Sequence, residues 1–234
     1  MQEVNNPFAA CRDVLFRPNP VFAKLARVNN WSWVPFLLLV CFSAMPAYLY
    51  FNSVDMDWYQ NLIINQQFAD VSPAEQDAAR RSMTASNLVS LTILMSSIGL
   101  VVINAILAVY LNLMTKVDEH NVQGFTDWYG MTWWVSLPNA LGAVLSILVI
   151  LIAQDGQLSP ESLNVTSVAF WLSVPMSSEW FTLTQSIRLE SFWTIYLIAV
   201  GISQWTQIPS NKVWTIAIAP YAVIWTAWIL ILLF

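Results

Sequence analysis

An all-α membrane protein, a bundle of about five transmembrane helices with short interfacial amphipathic helices, is the fold this sequence predicts, and three observations predict it. Of 234 residues, 57% are apolar and only 10% are charged, and mean hydropathy is +0.57; a soluble domain carries roughly 25% charged residues to cover its surface. Five charge-free windows, Val28 to Val54, Ser82 to Thr115, Trp128 to Gln154, Ser191 to Asn211 and Val213 to Phe234, are each long enough for the roughly 20 apolar residues that cross about 30 Å of hydrocarbon. Tryptophans then gather near one set of predicted helix ends (Trp31, Trp33, Trp128, Trp133, Trp134, Trp205 and Trp214), where amphipathic rings favour the membrane interface.

Residues 1–32 form a cytoplasmic amphipathic segment in this reading. Asn6-Pro7 is a cap followed by proline at the first helical position, after which Phe8, Cys11 and Leu15 fall on one face. Asn19-Pro20 repeats the signal, with Phe22, Leu25 and Ala26 apolar and Lys24 and Arg27 polar. Two short helices lying on the inner membrane surface follow. Cys11 and Cys41 are read as free thiols, because a bridge would join that surface to the bilayer interior.

Residues 33–234 form the integral domain, with helices at about 33–51, 88–114, 131–153, 190–207 and 213–233. In the first external loop, Ser72-Pro73-Ala74-Glu75 is a capping box that starts a helix running up into the second span. Ser159-Pro160-Glu161 starts another. Between Glu161 and Glu179 lie 17 uncharged residues that include Asn164, Thr166 and Pro175, too short and polar for a span and read as an interfacial or re-entrant helix. Arg12, Arg17, Lys24 and Arg27 precede the first span and place the N-terminus in the cytoplasm. Lys116 and Lys212 fall on the same side, whereas Arg80, Arg81 and Arg188 fall outside. Five spans put the C-terminus outside.

Chemical signatures are scarce. Nucleophile elbows, Walker-type glycine loops, dinucleotide fingerprints and paired cysteine motifs are absent, and there is one histidine. The reading is therefore non-enzymatic, with no cofactor, no metal and, without runs of like charge, no nucleic-acid partner. One candidate partner loop is Asp118-Glu119-His120 with Asp127 further along: two carboxylates and an imidazole are competent to hold a divalent ion or a basic partner, and the same residues on a short connector also read as solvated charge. A candidate intramembrane polar site is Asn104 and Asn112 in the second span with Asn139 after Pro138 in the third. Asparagines beside proline kinks line a pathway or hydrogen-bond between helices. No helix centre carries an ionisable residue of the kind transporters use. Small residues at Ser96, Ser97 and Gly99, at Gly142, Ala143 and Ser146, and at Ala199, Gly201 and Ser203 mark faces expected to be buried against protein.

Phe192-Trp193-Thr194-Ile195-Tyr196-Leu197, then Gly201-Ile202, Lys212 and Ala219-Pro220-Tyr221 resemble the last two spans of the Yip (Ypt-interacting protein) domain family. Pro7-Phe8, Arg17-Pro18 with a short helix ending in Phe22, the Gly124 loop and Ser136-Leu137-Pro138 are similar to it in outline. The resemblance implies five spans with a cytoplasmic N-terminus. Eukaryotic members bind Rab-type GTPases in vesicle traffic, but their Asp-Leu-Tyr-Gly-Pro motif and long tail are missing here, so the chain looks like the compact bacterial branch of inner-membrane proteins, and no site residue carries over. Two readings of function follow: a membrane adaptor or scaffold engaging membrane lipids and a protein partner or a second copy, and a small permease or channel component.

Overall fold

The computed structural model describes residues 4–28, 30–153 and 156–234. Among them, regular structure is helical, and strand-type pairing is confined to a single bridge between Ser167 and Arg188. α1 (Pro7–Phe16) begins as its sequence dictates: Asn6 Oδ1 accepts the Ala9 N–H at 2.8 Å, with Pro7 at the first position. It stops at Arg17 because the residue before a proline is steered out of the helical region. α2 (Pro18–Leu25) therefore starts at Pro18, two residues earlier than Asn19 as a cap would have it. Asn19 is left to bond elsewhere.

α3 (Trp33–Ser53) carries Pro46 inside it. The loop that follows holds two helices. α4 (Met56–Gln67) is capped by Asp55, whose carboxylate accepts from Asp57 and Trp58. α5 (Pro73–Ser82) has the expected capping box of Ser72 and Glu75, and it ends at Met83 rather than running into α6 (Ala85–Met114). Past a 3-10 turn at Thr115–Val117 come α7 (Phe125–Val135) and α8 (Pro138–Ile152), separated at Ser136 and Leu137 where Pro138 has no N–H to give. The break is sealed locally: Leu137 N–H reaches the Trp134 carbonyl at 3.3 Å, and Asn139 donates its backbone N–H at 3.0 Å and its Nδ2 at 2.8 Å to the Ser136 carbonyl.

Between Pro160 and Ser186 there are only short pieces: a 3-10 turn at Pro160–Asn164, α9 (Val168–Trp171) and α10 (Phe181–Ser186). The uncharged 162–178 stretch holds no helix of spanning length. α11 (Leu189–Trp205) and α12 (Ser210–Leu233) complete the chain.

Four stretches are long and apolar enough to cross a membrane: α3, Ala85–Val117, Phe125–Ile152 and α12. Four of the about five expected spans reach this length. The remaining candidate, α11, has 17 residues, about 25 Å at 1.5 Å per residue, because it starts only after the Ser167–Arg188 bridge and stops ahead of Pro209.

Two compact units partition the chain, one of Met1–Cys41, Gly99–Leu141 and Leu189–Phe234, the other of Phe42–Ile98 and Gly142–Arg188. In the first, α11 is the central helix. α2 packs along it, with Trp205 Nε1 donating to the Phe22 carbonyl at 2.8 Å and Gln204 Nε2 to Asn19 Oδ1 at 3.3 Å. Ala10, Val14, Val21 and Phe22 are wholly buried, and each of the larger three contributes about 1.5–3 kcal/mol by leaving water. α1 and α2 thus bury these residues against protein, while Phe8 and Phe16 stay exposed. Gly201 allows α7 this close: a Cβ there would sit 2.5 Å from Met131 Sδ. Gly99, expected to mark a buried face, has nothing within 4 Å of such a Cβ.

The second unit is stitched by polar contacts. Tyr50, Phe51 and Tyr59 meet edge to face at 5.1–6.2 Å, and the Tyr50 hydroxyl donates to the Leu158 carbonyl at 2.8 Å. Gln60 Nε2 donates to the Met83 carbonyl at 2.9 Å, and Ser146 Oγ to that of Leu163 at 3.0 Å. Gly156 adopts φ +66° and its carbonyl accepts the Asp55 N–H at 2.8 Å, a conformation that side chains disfavour.

Candidate functional site

The connector between α6 and α7 is ordered by its own short polar side chains. Thr115 Oγ1 donates to the Leu111 carbonyl at 2.7 Å and accepts Asn121 Nδ2 at 3.0 Å. Asp118 uses both oxygens: Oδ2 accepts the Gln207 N–H at 2.7 Å, and Oδ1 accepts the His120 N–H at 3.0 Å. Those two amides hold the Asp118 carboxyl below the usual carboxylate range, since hydrogen bonds to the charged form favour it. The contact joins the connector to the α11–α12 link, 89 positions away in sequence.

His120 Nδ1 lies 3.6 Å from Asp118 Oδ1 with its side chain 75% exposed, and Glu119 is exposed beside it. Val117 and Val122, 66% and 89% exposed, complete an outward surface that is part apolar and part charged. Asp127 lies apart from this surface. Its Oδ2 accepts the Gly124 N–H at 2.8 Å and so closes the first turn of α7. Among the described residues, no group of three or more His, Cys, Asp or Glu is placed to hold a metal ion.

The asparagines divide differently. Asn104, 2% exposed, donates through Nδ2 to the Leu100 carbonyl at 2.8 Å and accepts Ser136 Oγ at 3.1 Å. Ser136 also receives Asn139, so α6 and the α7–α8 break share one polar node inside the first unit. Asn112, eight residues along α6, is half-buried and outside that node.

A cavity of about 520 Å³ lies in the first unit, lined by Leu25, Val28, Ser32, α3 and α7, with Val101 and Trp205 also in its walls. Its walls are aromatic: Trp33, Phe36, Tyr129, Trp133, Trp134 and Trp205. Trp134 Nε1 donates to Ser32 Oγ at 3.1 Å, and a Cβ on Gly130 would come within 3.0 Å of that same oxygen. Residue-by-residue reading assigns these tryptophans to a membrane interface and misses the cavity; the density of rings in 31–36 and 128–134 is the only local trace of it.

A helical core with four apolar helices of spanning length defines a multi-pass membrane protein. The chain belongs to the Yip1 domain family, whose family model matches residues 12–233. No curated protein and no solved structure shows significant similarity to it.

Proposed function

We propose that this chain is a non-enzymatic adaptor of the bacterial inner membrane, with its N-terminus in the cytoplasm, and that the α6–α7 connector is where a protein partner docks. The observation that carries this reading is Asp118. By bonding Gln207 and His120 it holds the connector in one shape, so Glu119, His120 and Val122 are presented without the ordering cost that a flexible loop meets on binding. A mixed apolar and charged rim of this kind suits a protein surface. The hydrogen bonds of Asn104 and Asn139 support a role in helix packing.

The test is a photo-crosslinking residue at Val122 in protein extracted into native lipid particles, compared with one at Ile231 of α12. A stoichiometric adduct from position 122 alone, lost when Glu119 and His120 are replaced by alanine, supports the adaptor reading. Equal labelling from both positions, or an adduct indifferent to the replacements, removes it. Topology has its own check: a C-terminal reporter active only in the cytoplasm stays silent if α11 crosses as a short fifth span and lights up if four helices cross.

A further inference from the structure

The aromatic cavity has a chemistry of its own, separate from the docking surface. Its volume of about 520 Å³ falls within the roughly 300–1,000 Å³ of small-molecule sites. Among the described residues six rings line it, together with one carboxylate, Asp127, and no lysine or arginine. Ring faces carry negative quadrupole density and attract cations, indole most strongly.

Polarity is ordered along the walls. α7 contributes Thr126 and Asp127 from its first turn and Trp133 and Trp134 from two turns further on, while α3 contributes Trp33 and then Phe36 one turn deeper. One end of the cavity is therefore polar and acidic and the other apolar, the profile of an amphiphile with a cationic head. A head of net negative charge would meet the carboxylate with no basic side chain among the lining residues to compensate it, whereas a zwitterion brings its own cation.

The rings are already in place. Trp33 meets Phe36 at 5.5 Å, Phe36 meets Trp133 at 4.8 Å and Tyr129 meets Trp133 at 5.6 Å, each edge to face, while Ser32 holds Trp134 and the Phe22 carbonyl holds Trp205. Little rotamer freedom remains to be lost on binding. Asp127 gives one oxygen to Gly124. Its charge also offsets the positive end of α7, so a cation there is held by rings and carboxylate together.

We propose that this cavity binds an amphiphile bearing an organic ammonium group, its head between Asp127 and the tryptophans and its apolar chain toward Val101. The ammonium comes either from a membrane lipid headgroup such as phosphatidylethanolamine or from a free lipophilic amine.

The experiment places the full chain in nanodiscs of phosphatidylglycerol alone and titrates hexyltrimethylammonium, following tryptophan emission, since four of the thirteen tryptophans line the cavity. The expected result is saturable binding about tenfold or more tighter than that of hexanol, weakened about tenfold by Asp127→Asn and comparably by Trp133→Leu. Asn keeps an oxygen for the Gly124 N–H, and an unchanged unfolding midpoint confirms that each variant is folded. Adding phosphatidylethanolamine to the discs identifies the source: competition with the probe assigns the site to the lipid headgroup, and its absence assigns it to a free amine. Equal affinity for hexanol and the ammonium, or no saturable response, overturns the proposal without reference to any variant.

Discussion

α11 and α12 are neighbours in sequence and alike in apolar character, yet they live in different surroundings. Nine of the 17 residues of α11 are buried, including Thr194, Ala199 and Gly201, whereas α12, with 24 residues, buries Val213, Ile216 and Ala217 and exposes Val223, Ile224, Leu230 and Ile231. Both helices avoid water, and composition records only that. Small residues let a neighbour approach, as Gly201 does for Met131, but they do not decide alone, since Ala222 and Ala227 of α12 are exposed.

The largest expected effect breaks that comparison directly. Gly201→Leu forces bulk against Met131 and is expected to cost about 1–3 kcal/mol or more, seen as a lowered unfolding midpoint in detergent micelles, with partial recovery when Met131→Ala is added. Ile231→Ala on α12 should stay within about 0.5 kcal/mol. Equal losses at the two sites would mean that α12 too is covered by protein.

Trp205→Phe sharpens the picture at the end of α11. It keeps the ring and removes the Nε1 bond to the Phe22 carbonyl, a loss of about 1 kcal/mol, and faster proteolysis in the 26–32 segment should report the loosened α2. The smallest effect concerns the connector. Because the Asp118 carboxyl titrates below its ordinary value when folded, its contribution is complete above about pH 4 and is lost as pH falls through the lowered value. The gap in unfolding midpoint between the native chain and Asp118→Asn should therefore hold down to about pH 4 and close below it as the lowered value is passed; a gap that persists at low pH would show that Asp118 acts without its charge.

Local signals were legible wherever one short segment carries all of its own partners. Asn6-Pro7 and Ser72 with Glu75 announce helix starts because a cap is satisfied within three residues. Asn19-Pro20 misled by two residues, since Arg17-Pro18 supplies an earlier start and Asn19 finds Gln204 instead. The clustering of Asp118, Glu119 and His120 was equally plain to read. What was not legible is that Asp118 holds Gln207, because nothing near either residue encodes a contact 89 positions away.

Hydrophobicity and charge spacing, read along the chain alone, establish a helical membrane protein, and residue similarity along the chain places it in the Yip1 domain family; both patterns survive without coordinates. Tertiary structure settles how those apolar faces are shared. It tucks α1 and α2 against α11, stops α11 at 17 residues, leaves Gly99 open while filling the space beside Gly201, and assembles rings from three distant stretches around one cavity. An apolar side chain is excluded from water with equal force by lipid and by protein, so its identity carries no choice between them; that choice follows from shape complementarity between segments that meet only in the folded chain.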